Sequence, residues 1–139
     1  MRNYLKRLHL DEIIEECENL AKYTRGHLPS VLRDKSFETM RDFSWAAILT
    51  EAKERCPTLL DVITAICCRR EGQNAQRSGA MRIAPIGTIY SLLLHQFNRE
   101  LNLVQRINTV LLANGQAETK VCFRLNTMQL SCPRGCERG

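Results

Sequence analysis

Apolar residues recur at every third or fourth position through most of this chain, and that spacing restricts its fold more than any other feature. A helix turns about 100° per residue, so side chains spaced three and four apart share one face. Ile13, Ile14, Cys17, Leu20 and Ala21 line such a face. Asp11 is placed to cap this first helix, and Glu12, Glu15 and Glu16 suit the positive end of its dipole. Lys22 and Arg25 suit the negative end, and Gly26 is a natural stop. Tyr4, Leu5 and Leu8 either extend the helix backwards or pack beside it.

The same spacing continues downstream. Pro29 and Ser30 open a short helical piece carrying Val31 and Leu32, and Phe37 and Met40 fall on another short turn. Ser44 caps a helix lined by Trp45, Ile48, Leu49, Ala52 and Cys56, which Pro57 ends. Thr58 and Asp61 match a capping box for the next helix, with Leu59, Ile63, Ile66 and Cys67 as its apolar face. A polar linker near 71–79 follows. A helix over 82–97 then carries Ile86, Ile89, Tyr90, Leu93 and Phe97 as its main face. Leu92 and Leu94 widen the apolar surface and mark this helix as central and largely buried. Asn102 caps a helix lined by Leu103, Val104, Ile107, Val110 and Leu111, which stops at Asn114-Gly115. A last helix over 117–126 would bury Val121, Cys122 and Leu125.

No period-2 alternation of useful length appears, and no internal repeat. The expected fold is therefore all-α, an irregular orthogonal bundle of five to seven helices. It forms a single domain over 1–130 with an unstructured tail at 131–139. At 139 residues and 44% hydrophobic content, one core is feasible without metals or disulfides. The longest apolar stretch, Ile83 to Leu94, is too short for a membrane helix, so no membrane partner is expected.

Seven cysteines stand behind no secretory signal, which points to a reducing, intracellular setting, cytoplasm or nucleus. Cys132 and Cys136 are spaced as half a zinc site, but a closed site needs four ligands, and only His95 and Cys122 lie near in sequence. Adjacent Cys67 and Cys68 lack the spacing of a redox pair. A Cys-dependent enzyme would need one of His9, His27 or His95 folded against a thiol. The acidic group Asp11, Glu12, Glu15, Glu16 and Glu18 reads as a solvated helix face. No established catalytic motif is present, and no cofactor is expected.

The net charge of +5 is concentrated late: residues 1–70 hold 12 basic against 11 acidic side chains, and residues 71–139 hold 8 against 4. Arg69, Arg70, Arg77 and Arg82 surround the linker and are candidates for phosphate contact in a nucleic-acid-binding module. No aromatic is interleaved with them for base stacking.

Several motifs come in a distinctive order: Phe43-Ser44-Trp45, Cys56-Pro57-Thr58-Leu59-Leu60-Asp61-Val62, Leu101 to Ile107, Ala113-Asn114-Gly115, and Val121 to Asn126. In that order they resemble the N-terminal helical region of uncharacterised multi-copy animal proteins thought to derive from transposable elements. The resemblance covers 43–130. It implies a helical region placed before a longer C-terminal part, where any nuclease-like or transposase-like chemistry would reside. It also implies that this chain is a truncated copy, and it carries over no catalytic residue. The function expected from all this is a helical interaction or scaffolding module. Its exposed apolar helix face, with Tyr90, Leu94 and Phe97 as candidates, would meet a protein partner or a missing C-terminal domain.

Overall fold

The computed structural model describes residues 1–22, 26, 28–68 and 82–115. They form six α-helices and one 3-10 turn: α1 (Arg2–Ala21), the turn Val31–Arg33, α2 (Phe37–Arg41), α3 (Trp45–Arg55), α4 (Pro57–Cys67), α5 (Ile83–Phe97) and α6 (Leu103–Asn114). No strand occurs among the described residues, so the all-α expectation holds. The linker near 71–79, the helix expected over 117–126 and the tail at 131–139 lie outside them.

The core is aliphatic, as the scarcity of aromatics requires. Leu20, Leu32, Ile48, Leu94, Leu101 and Leu103 are its largest fully buried aliphatic side chains, with Tyr90 as the one buried aromatic ring among the described residues. α5 is the central helix and packs on both α3 and α4. It buries Ile86, Gly87, Tyr90, Ser91 and Leu94, while Ile89, Leu93 and Phe97 are turned outward. The buried face of this helix therefore lies about 75° to one side of the expected one. Its apolar surface wraps so far round that spacing alone did not identify the buried strip. The close approach of α5 to α3 needs Gly87. A Cβ there would sit 2.5 Å from Cε3 of Trp45. The Trp45 ring is itself held edge-on by Phe43, with centroids 4.8 Å apart.

Two helix starts differ from expectation. Asp11 does not cap α1, because the helix begins nine residues earlier, at Arg2, and runs through Asp11 without a break. Thr58 and Asp61 do not form a capping box. Pro57 takes the first helical position of α4 and moves the N-cap back to Cys56, whose side chain makes no capping bond. The free amides of Thr58 and Leu59 donate instead to the two carboxylate oxygens of Glu16 on α1, at 3.1 and 3.2 Å. An acid from a neighbouring helix thus supplies what the local sequence does not, at the positive end of the α4 dipole. Ser44 and Asn102 do occupy N-cap positions, without side-chain capping bonds.

The other end of α1 is satisfied in a similar way. The helix stops at Ala21, with Lys22 as C-cap, before the expected Arg25. Gly26 adopts the left-handed backbone expected of a stop, φ 99°. Arg33 donates to the Ala21 carbonyl at 2.9 Å, and Arg55 donates to Asn19 and Leu28 carbonyls at 3.4 and 3.0 Å. Arg55 also lies 3.5 Å from Glu51. The buried Glu51 carboxylate accepts from Ser30 Oγ at 2.9 Å and from the Val31 amide at 3.0 Å. This network fixes the segment between α1 and α2 to α3.

Candidate interaction surface

Tyr90 and Leu94 are fully buried, so they cannot belong to an exposed contact face, and only Phe97 of the three candidates reaches solvent. The reason is their position on α5. They stand four apart on the strip facing α3 and α4, while Phe97 continues the outward row of Ile89 and Leu93. On α4, Ile66 is likewise exposed although its spacing matched the buried face, and so is Leu111 on α6.

The larger unpartnered surface is on α1. Every residue from Met1 to Glu12 is exposed, whereas Cys17 and Leu20 are buried. The helical wheel gives the cause. Met1, Tyr4, Leu5 and Leu8 fall within an arc of about 100°, and Ile13, Cys17, Leu20 and Ala21 within another whose centre is about 160° away. One helix therefore carries two apolar stripes on opposite sides. Only the second meets the body, through α4 and α3. The first leaves Tyr4, Leu5 and Leu8 at 67%, 51% and 48% exposure. It was legible in the chain as a change of apolar phase between Leu8 and Ile13, which a single-face template hides.

The basic and cysteine candidates fare differently. Arg82 donates to the Cys67 carbonyl at the end of α4. Arg69, Arg70 and Arg77, together with Cys132, Cys136 and Cys122, lie outside the described residues. Among the described residues no three His, Cys, Asp or Glu side chains converge on a common point. Burial, then the charge of Arg99, holds His95 below the ordinary imidazole range. Cys67 is half-buried and Cys68 exposed.

Sequence reasoning missed a polar group in the core. Cys17, Cys56 and Tyr90 come from α1, the α3–α4 junction and α5, and meet inside it. The hydrogen bond with Cys17, and then burial, push the Cys56 thiol up. Burial, and then the neighbouring Cys56, push the Tyr90 phenol up. Both stay protonated. The Tyr90 hydroxyl finds only the weakly accepting Cys56 sulfur beside it and makes no conventional hydrogen bond among the described residues. A shallow cleft of about 300 Å³ lies between the 3-10 turn, α2 and the start of α3, with Glu38, Asp42 and Phe43 on its wall. Arg41 already pairs with both oxygens of Asp42, at 3.1 and 3.0 Å.

No helix among the described residues is long and apolar enough to cross a membrane. No family model matches the chain, and neither any curated protein nor any solved structure is detectably similar to it.

Proposed function

We propose that this chain is a helical protein-interaction module whose contact surface is the outer stripe of α1, formed by Met1, Tyr4, Leu5 and Leu8. The supporting observation is the opposition of two apolar stripes on one helix. The inner stripe anchors α1 to the body, and the outer one lies along the first two of three exposed turns. Contiguous exposed apolar surface bordered by charge is the usual mark of a contact site. A place in a mobile-element protein, which the motif order implies, belongs to the same proposal: a scaffold that presents one helix to a partner.

Binding of an apolar fluorescent dye to the folded chain tests it. The double substitution Leu5→Asp with Leu8→Asp should remove most of the dye signal and leave the circular dichroism unchanged. The rival pair Leu93→Asp with Phe97→Asp should remove little. The reverse result would move the contact surface to α5 and overturn the proposal.

A further inference from the structure

Resting on the reading that the outer stripe of α1 is a contact surface, we infer that its occupant is a second copy of this chain, docked antiparallel along the same helix. Charge decides the occupant. The outward side of α1 has two zones. In the first two turns the apolar stripe is flanked by Arg2 on one side and Arg7 on the other, with Lys6 behind. In the following turns Glu12 and Glu15 fall on the arc that the stripe occupied, Asp11 and Glu18 border it on one side, and all four are exposed. An anionic membrane suits the first zone and is repelled by the second, which faces the same way. A uniformly acidic or basic protein surface has the same defect with one zone or the other. The surface that fits both has the opposite polarity along its length. An antiparallel copy of α1 has that polarity, whereas a parallel copy sets like charge on like.

The register follows from helix geometry. Residues on two antiparallel helices rise in equal steps in opposite directions. Setting Leu5 level with the second copy's Leu8 gives that contact twice by two-fold symmetry. It also sets Arg2 one step from the level of the second copy's Glu12, and the two-fold axis keeps both on the same side of the helix pair. The inner stripe, with Cys17 and Leu20, points away from this face, so the two bodies lie on opposite outer sides of the helix pair. The apolar contact is short, so the dimer is weak and loosens with salt.

Sedimentation velocity of the full chain, over a wide concentration series at low and high salt, tests the inference. A monomer–dimer equilibrium that weakens with salt is expected. Leu8→Asp should hold the chain monomeric. Arg2→Glu should raise the dissociation constant about tenfold, and adding Glu12→Arg to it should restore association. A wild-type chain that stays monomeric throughout overturns the second copy as occupant. If the Leu5→Asp, Leu8→Asp pair still abolishes dye binding in that case, the contact surface survives without this occupant. If dye binding is unchanged, both fall. Dimerisation indifferent to Leu8→Asp and to the charge exchange also overturns the inference. So does a monomer that sediments with phosphatidylserine vesicles.

Discussion

The two halves of α1 obey the same helical geometry and meet opposite fates. From Ile13 to Ala21 the apolar residues other than the exposed Ile14 point inward, Cys17 and Leu20 are buried, and Glu16 caps a neighbouring helix. From Arg2 to Glu12 the backbone continues in the same hydrogen-bonded ladder with no side chain buried. Regular secondary structure therefore does not imply a share in the core. A short helix alone is marginal in water, and the inner half nucleates the outer one by continuity of the ladder. The difference separates a part that holds the fold together from a part free to hold something else.

The largest contrast is expected between Leu20→Ala and Leu8→Ala. Leu20 is 1% exposed, so its truncation should destabilise the chain by about 3 kcal/mol in urea unfolding, and Leu8→Ala by less than about 0.5 kcal/mol at a dilution where the chain is monomeric. Equal losses would erase the distinction between the halves. Gly87→Ala probes the body on which the inner half sits. Its Cβ must displace the Trp45 ring, and a loss of about 2 kcal/mol is expected. Glu16→Ala removes the acceptor of the Thr58 and Leu59 amides and should cost about 1 kcal/mol, while Glu15→Ala, one residue away on the exposed side, should cost almost nothing.

The smallest effect is a pH dependence. Burial raises the Glu51 carboxyl above the ordinary range, against the pull of Ser30, Val31 and Arg55. A raised acid binds its proton more tightly in the folded chain than in the unfolded one. Its contribution is thus complete below the ordinary carboxylate pKa and is lost as pH rises through the raised value. Thermal melts between pH 4 and pH 7, at about half-unit steps, should show the wild type losing stability relative to Glu51→Gln as pH rises. A parallel pair of curves would remove Glu51 as the source.

The spacing of apolar residues made the six helices legible, because burial of one face leaves a period in the chain whatever the tertiary detail. Ser44, Pro57, Asn102 and Gly115 marked boundaries for the same local reason. What stayed hidden depends on partners distant in sequence. Glu16 and Thr58 are far apart along the chain, so Thr58-x-x-Asp61 looked self-sufficient until Pro57 shifted the helix start. Tyr90 and Leu94 could not be told from Leu93 and Phe97 on a helix apolar over most of its circumference. On α1, Asp11 looks like a cap because the acidic run begins there, although the helix already runs from Arg2.

Amide hydrogen exchange along α1, followed at low protein concentration, tests the division of the helix most directly. Amides from Cys17 to Ala21 should open only with the whole fold, and those from Leu5 to Glu12 should exchange orders of magnitude faster through local fraying. Uniform protection from Leu5 to Ala21 in the dilute monomer would show that the outer half is held by the body itself, and would leave no free stripe to present.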